Sequence, residues 1–322
     1  MIIVTNRRFS KNASATRKFG KEFNLRGPDE LMIAKADKID GKWNVQILPE
    51  KTIFEGKDMF SSEKEFIVLQ KRLIKDKKNC LLFIHGFNND FDDVLERGLK
   101  FEKNYNVEVI VFTWPANGRI TGGLEYKSDK RDAVRSVAAL DRVLEKLDSY
   151  MNIHGDAMRR CNRKISLFMH SMGNYLFKHL MKSSIYNGET TIFDNVIMCA
   201  ADVNNRKHSD WVDRISFRKR LYITINEDDK ALLLSRMKFG KKQHARLGHS
   251  TKNLTAKNAT YLDFSQRKSV NCNKSASHAY FEDKPIERDQ KLKEVFNMII
   301  NGEVAEIKMK YEIHSGTFTI KD

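Results

Sequence analysis

A serine, an aspartate and a histidine occur in the chain order and in the kinds of segment that nucleophilic catalysis requires. The serine is Ser171, which lies in the stretch His170-Ser171-Met172-Gly173 after the apolar run Ile165–Met169. A serine hydroxyl is a weak nucleophile unless a histidine takes its proton, and that histidine needs a carboxylate to orient it. These residue types predict attack on an acyl carbonyl through a covalent intermediate.

The segment around Ser171 has two interpretations. Its apolar run has the length of a strand, and helical spacing resumes at Leu176, Phe177 and Leu180. A sharp strand-to-helix turn would expose the serine oxygen, and Gly173 supplies one of the two small residues of the pattern G-x-S-x-G. Met169 stands where that pattern has its first glycine. The alternative is a buried turn in which the serine only caps the helix.

Two aspartates compete for the role of the acid. Asp202 follows the predicted strand Asn195–Ala200, and Asp229 follows the predicted strand Leu221–Ile225. The acid usually lies after the second strand beyond the serine, which favours Asp229. Its neighbour Asp228 could point inward instead.

Among the histidines, His278 is the candidate general base. It follows the last predicted parallel strand, and a base on that loop can reach over the turn at Ser171. His244 and His249 precede that strand in a basic loop, where we expect exposed or substrate-facing side chains. His170 and His85 are expected to be structural.

Backbone amides are expected to form the oxyanion hole. His85-Gly86-Phe87-Asn88 follows the first strand of the predicted core, and its glycine lets the backbone approach a substrate. The predicted donors are the N–H groups of Phe87 and Met172, which would stabilise the charge on an attacked carbonyl.

The elements that must position these residues alternate between apolar strands and amphipathic helices. This alternation predicts a mostly parallel sheet with helices on both faces. The predicted strands are Cys80–Ile84, Val107–Thr113, Ile165–Met169, Asn195–Ala200, Leu221–Ile225 and Thr260–Phe264. The predicted helices are Ser62–Lys77 with a capping box of Ser62 and Glu65, Asp90–Asn104, Asp129–Tyr150, Gly173–Ser184, Asp229–Lys238 and Glu287–Asn301.

Both ends of the chain add β structure to this core. Short β-rich runs separated by a turn at Asp40-Gly41 predict an accessory β region over 1–60. The core of parallel strands and helices is expected over 61–302. A hairpin that turns at Ser315-Gly316 is expected over 303–322.

Composition limits the class of protein and its partners. The chain has 322 residues, 41% of them hydrophobic, and a net charge of +16. Basic residues are frequent near the candidate acids, so we expect an acyl substrate that is anionic, or an anionic membrane surface, for example a phospholipid. They are Arg206, Lys207, Arg214, Arg218, Lys219, Arg220, Arg236, Lys238, Lys241, Lys242 and Arg246. Nucleic acid is not expected, because no known nucleic-acid motif accompanies the charge.

Other function classes find no support in the sequence. There is no metal-binding or nucleotide-binding motif, and a serine mechanism needs no cofactor. We expect neither a signal peptide nor a membrane span, because the apolar run at the start is short and no apolar run reaches about 20 residues. Its four cysteines have no paired spacing, which predicts reduced thiols in a cytoplasmic protein.

Four motifs in order resemble bacterial α/β-hydrolases of unknown specificity, with an esterase- or lipase-like core. They occupy Phe83–Asn88, Phe112–Gly118, Tyr126–Ser136 and His170–Asn174, within a resemblance that covers about residues 75–282. The resemblance implies the α/β-hydrolase fold. The family pattern D-x-A-L-x-L-S matches Asp229–Ser235, and its H-x-Y matches His278–Tyr280, which supports the assigned acid and base.

The sequence therefore predicts a serine hydrolase with Ser171, Asp229 and His278 as its catalytic residues and Asp202 as the alternative acid. A protein of another class stays open: one that keeps the hydrolase fold without the chemistry and binds an acidic partner such as nucleic acid or an anionic membrane.

Overall fold

The computed structural model describes residues 1–116, 123–183, 191–237 and 244–321. The described chain divides into two compact units, Met1–Ile165 and Ser166–Asp322. This division differs from the predicted boundaries at residues 60 and 302, which stay predictions.

The first unit contains a sheet in which parallel and antiparallel strands meet. Its strand order is β8-β9-β1-β4-β5; β8, β9 and β1 pair in parallel, whereas β4 and β5 are antiparallel. Its strands are β1 (Ile2–Thr5), β2 (Arg7–Phe9), β3 (Phe19–Phe23), β4 (Met32–Ile39), β5 (Lys42–Ile47), β6 (Lys51–Phe54), β7 (Lys57–Phe60), β8 (Asn79–Ile84) and β9 (Val107–Thr113). Its helices are α1 (Ser61–Lys75), α2 (Phe91–Tyr105), α3 (Gly123–Arg135), α4 (Val137–His154) and α5 (Asp156–Arg160).

The N-terminal strand is an integral part of this sheet. β1 pairs in parallel with β9, with Ile2 opposite Ile110, and antiparallel with β4. Ile3 is fully buried. The turn predicted at Asp40-Gly41 joins β4 and β5, and both of its residues have the positive φ angles that a two-residue hairpin requires.

The second unit is built on a sheet of parallel strands. Its order is β14-β15-β13-β12-β11-β10, and all neighbours are parallel except the terminal hairpin of β14 and β15. Its strands are β10 (Ile165–His170), β11 (Phe193–Cys199), β12 (Arg218–Ile225), β13 (Thr260–Asp263), β14 (Met309–Glu312) and β15 (Thr317–Ile320). Its helices are α6 (Gly173–Lys182), α7 (Ser209–Val212), α8 (Lys230–Met237), α9 (Lys284–Arg288) and α10 (Gln290–Ile300).

Two helix predictions are corrected. The helix expected over Asp129–Tyr150 is broken at Ser136 into α3 and α4, and Asp129 is buried inside α3, where it accepts a hydrogen bond from the Asn88 N–H. The capping box expected at Ser62 is absent, because α1 begins at Ser61 and the Ser62 hydroxyl bonds the Tyr150 hydroxyl at 2.6 Å.

The architecture that the sequence predicted is present: mostly parallel strands with helices between them, and additional strands at both ends of the chain. Among the described residues, no helix combines the length and the apolar character that crossing a membrane requires.

Candidate functional site in the second unit

Ser171 lies on the sharp turn between β10 and α6. Its φ is +53°, in the left-handed region that residues with a β-carbon rarely adopt. The preceding strand is buried throughout, and the helix starts two residues after the serine. A non-glycine residue held in this conformation requires support from its surroundings, and such strain concentrates at functional sites.

Hydrogen bonds on both sides hold this turn in place. The Ser171 N–H donates to the Cys199 carbonyl at 3.0 Å, and the Ser171 carbonyl accepts from the Asp202 N–H at 3.2 Å. The fully buried Asn174 amide donates from Nδ2 to the carbonyls of Met169 (3.0 Å), Ser171 (3.2 Å) and Cys199 (3.2 Å). Asn174 therefore ties the end of β10 to the end of β11.

Asp229 is fully buried at the start of α8. Its Oδ1 accepts from the N–H groups of Ala231 and Leu232, both at 2.9 Å. These are among the first amides of the helix, which have no acceptor within the helix, so they favour a negative charge there. The helix start thereby fixes the orientation of the carboxylate and leaves Oδ2 for another partner.

That partner is His278. The distance from His278 Nδ1 to Asp229 Oδ2 is 2.7 Å, and the imidazole is 18% exposed. The ring centroid of His278 lies 4.6 Å from that of His170, the residue before Ser171. His170 Nε2 also donates to the His278 carbonyl at 3.0 Å. The base predicted from sequence therefore lies against the serine turn.

A buried asparagine positions the loops that carry Asp229 and His278. Asn226 Nδ2 donates to the Ser277 carbonyl at 2.8 Å, next to His278, and its Oδ1 accepts from the Asp228 N–H. The Lys230 N–H donates to the Ser277 hydroxyl at 3.3 Å. Asn226 and Ser277 therefore link the two loops directly.

The other two candidate aspartates, Asp202 and Asp228, have partners other than His278. Asp202 Oδ1 accepts from the Ser235 hydroxyl at 2.6 Å and forms a buried ion pair with Arg246 Nε at 3.0 Å. Asp228 accepts from Asn271 Nδ2 at 3.0 Å. The geometry thus favours Asp229 as the partner of His278.

The two predicted oxyanion donors lie in different units. Met172 directly precedes α6, so its N–H belongs to the end of the helix that carries unsatisfied amides. Phe87 lies in the first unit, where its ring meets Tyr126 edge to face at 5.6 Å. The pairing of these two amides stays a prediction.

The loop that carries Phe87 is held by buried polar groups of the first unit. Arg7, fully buried, donates to the carbonyls of Asn89 (2.8 Å) and Gly20 (3.1 Å). His85 donates from Nδ1 to the Gly86 carbonyl, and its ring stacks on Trp114. Burial, followed by the charge of Arg7, holds the pKa of His85 well below its usual value, which keeps the imidazole neutral. His85 is structural, as predicted.

The predicted basic surroundings of the site need correction. Arg218, Lys219 and Arg220 form the amino-terminal end of β12, whereas Asp229 follows its carboxyl end. Arg246 is only 2% exposed and pairs with Asp202. Arg206, Lys207, Arg214 and Arg236 are exposed. Lys238, Lys241 and Lys242 lie outside the described residues.

A short turn over the strand ends brings a second histidine near Asp229. Leu247–His249 follows Arg246, and the Gly248 backbone comes so close to Ala200 and Ala201 that a β-carbon at Gly248 would lie 2.3 Å from the Ala201 nitrogen. His249 is half-buried, and burial lowers its pKa although Asp229 acts in the opposite direction. His244 is exposed.

Within the described ranges, no cluster of three or more His, Cys, Asp or Glu side chains could hold a metal ion.

Sequence reasoning missed the residues that hold the site together. Asn174, Asn226 and Ser277 carry no chemistry of their own, and amides and hydroxyls in loops are too common to single out. The available signal was positional: Asn174 follows the motif glycine directly, and Asn226 directly follows the strand that leads to the acid.

A mostly parallel sheet with a serine on a strained turn after a buried parallel strand, followed along the chain by a paired aspartate and histidine, defines the class of α/β-hydrolases. Residues 61–292 match the family model described as alpha/beta hydrolase of unknown function (DUF900), and the chain belongs to that family.

Three individual proteins are similar to this chain, one in sequence and two in structure. An uncharacterized protein of Nostoc sp. strain PCC 7120, alr1448, is 26% identical in an alignment of length 195 that covers 45% of this chain. The chain spans about half (48%) of that relative's length. The structure of TT1662 from Thermus thermophilus is similar with a TM-score of 0.35 and 12% identity, over 72% of this chain and 88% of that one. Phospholipase PlaB from Legionella pneumophila is similar with a TM-score of 0.32 and 11% identity, over 76% of this chain and 68% of that one.

Proposed function

We propose that this protein is a serine hydrolase that cleaves an ester, thioester or lipid acyl bond through an acyl-enzyme. The observation that carries the proposal is the 2.7 Å contact between Asp229 and His278, on a histidine whose ring packs against the residue before Ser171. Because Nδ1 of His278 is engaged by Asp229, Nε2 is the ring nitrogen that serves Ser171.

The reaction proceeds in two halves. Ser171 Oγ attacks the acyl carbonyl while His278 Nε2 takes its proton, and the Met172 N–H helps to stabilise the resulting oxyanion. The imidazolium then protonates the leaving group, which departs and leaves the acyl-enzyme. In the second half, His278 activates a water molecule that hydrolyses the acyl-enzyme and restores the serine. Asp229 stabilises the imidazolium throughout and holds its working tautomer.

The substrate in this proposal is a small-molecule or lipid acyl compound, with preference for an anionic one. The support is the net charge of +16 together with the exposed Arg206, Lys207 and Arg236 on stretches that follow β11 and β12. A cytoplasmic location belongs to the same proposal, since all four cysteines are free thiols.

Steady-state hydrolysis of p-nitrophenyl esters of increasing chain length tests the mechanism. Ser171→Ala and His278→Gln should each lower kcat/KM by at least about a thousandfold, because each removes a member of the reacting set. Ser183→Ala, at the end of the same helix, serves as the matched control and should keep full activity. Undiminished turnover by Ser171→Ala would contradict the proposal.

Phospholipid vesicles test the substrate preference separately. Release of fatty acid should be faster from anionic than from neutral vesicles of the same acyl composition, and the difference should shrink as salt rises. Arg236→Gln should reduce the rate on anionic vesicles alone. Equal rates on both kinds of vesicle at every salt concentration would show that the preference for an anionic substrate is wrong.

A further inference from the structure

The first unit contains a large apolar cavity that the proposed chemistry does not use. Its volume is about 710 Å³, and all of its lining residues lie between Ile2 and Tyr150. One wall is the face of the sheet, with Val4 of β1, Leu82 of β8 and Ile110 of β9; helices α1 and α4 contribute Leu69 and Leu147. Its size is within the range of ligand sites, about 300–1,000 Å³.

Cations surround this apolar space. Arg26, Arg142 and Lys146 line the cavity, and all three side chains are exposed. Arg142 and Lys146 are one helical turn apart on α4, so they form one exposed stripe of the helix, beside the stripe of the buried Val143 and Leu147. Long basic side chains commonly keep their charge in water while their stems cover apolar surface.

Acidic residues at the cavity are as numerous as these three cations. Glu30, Glu50 and Glu65 also line it, but Glu65 is paired with Lys35 at 3.3 Å and with Lys64 at 3.9 Å. The Arg142 guanidinium donates to the Asp29 carbonyl, and the Lys146 ammonium lies 3.9 Å from the centroid of the Phe60 ring. The difference is in their placement: Glu65 is paired with two lysines outside the lining, whereas Arg142 and Lys146 lie together on one helix.

We propose that this cavity binds a long-chain fatty acid, with the alkyl chain on the face of the sheet and the carboxylate at Arg142 and Lys146. A single alkyl chain matches a half-open space with mostly apolar walls, and a carboxylate matches two neighbouring cations. The proposal rests on the first unit alone and does not depend on the acyl-transfer chemistry proposed for Ser171.

Displacement of a fluorescent fatty acid from the full-length Ser171→Ala variant tests this proposal without turnover. Saturated fatty acids of 8 to 18 carbons should compete, and affinity should rise by about fourfold for each added methylene until the cavity is filled. Alkyl alcohols and alkyl trimethylammonium ions of the same length test the head group, and both should bind at least tenfold more weakly. Equal affinity for all three head groups would overturn the assignment of the carboxylate to the two cations.

Substitutions of cavity residues test whether the fatty acid binds in this cavity. Val143→Phe fills the cavity and should weaken binding at least tenfold, and Arg142→Gln with Lys146→Gln should weaken the carboxylate but not the alcohol. Lys103→Gln, an exposed lysine of α2, is the matched control and should bind as tightly as the parent. The two glutamine substitutions are on the surface, so they keep the test valid if Val143→Phe does not fold. No competition by any chain length, or unchanged binding in the glutamine variant, would overturn the proposal.

Discussion

Asp229 and His278 are joined by a 2.7 Å contact between Oδ2 and Nδ1, while the other oxygen of the same carboxylate caps helix α8. One buried side chain thus fixes a helix start and a histidine tautomer together. The start of helix α8 therefore determines, through Asp229, how the imidazole of His278 is oriented.

Replacement of Asp229 by asparagine should affect chemistry more than binding. An amide can donate to Nδ1 and so favours the wrong tautomer, and we expect kcat for ester hydrolysis to fall by about a thousandfold or more with little change in KM. The control is Asp228→Asn, since that carboxylate accepts from Asn271 instead. Equal losses in the two variants would contradict the assignment of Asp229.

Asn174 should stabilise the strained turn at Ser171. Asn174→Ala leaves three buried carbonyls without this donor, and we expect the free energy of unfolding to fall by about 1–3 kcal/mol, measured by urea denaturation. Asn152→Ala, which removes an exposed contact to Asp148, should change it by less than about 0.5 kcal/mol. If both variants were equally stable, Asn174 would not support the turn.

The Asp202–Arg246 pair should behave as a buried ion pair. Arg246→Met leaves the Asp202 carboxylate buried without its cation, so we expect a loss of about 3–5 kcal/mol in the free energy of unfolding. The double variant Asp202→Asn with Arg246→Met should lose clearly less than the two single losses added together. Strict additivity in this double-mutant cycle would show that the two charges are not coupled.

Asp141 on α4 should reduce stability at neutral pH. Burial, followed by repulsion from Glu145, raises its pKa to about 6, and among the described residues its Oδ1 has no hydrogen-bond partner. Because the folded pKa lies above the unfolded one, stability falls as pH rises from about 4 to about 6. Asp141→Asn should therefore be more stable than the parent by about 1–2 kcal/mol at pH 8, and the gain should vanish near pH 4. A gain independent of pH would contradict this origin.

The parts of the fold that were predictable are those with strong local signals. Apolar strands such as β9 and β11, which are buried along their whole length, stand out in the sequence, and so does the turn at Asp40-Gly41. The break at Ser136 was not predictable, because apolar residues recur with helical spacing on both sides of it.

The order of residues along the chain was enough to predict Ser171, Asp229 and His278 as candidate catalytic residues. It could not show which side chains surround them. Charge alone also placed Arg246 wrongly among the cations that surround the site. It is buried against Asp202 because an isolated antiparallel β-bridge brings Arg246 beside Asn204. Contacts between distant stretches of chain of this kind leave no periodic signal in a sequence.

Mapping of a fluorophosphonate adduct tests the central claim most directly. The probe reacts with a serine only when a neighbouring base activates it, so peptide mass spectrometry should find one adduct, on Ser171. His278→Gln should abolish the labelling while the protein stays folded. An adduct on another residue, or none on the folded parent protein, would contradict the account.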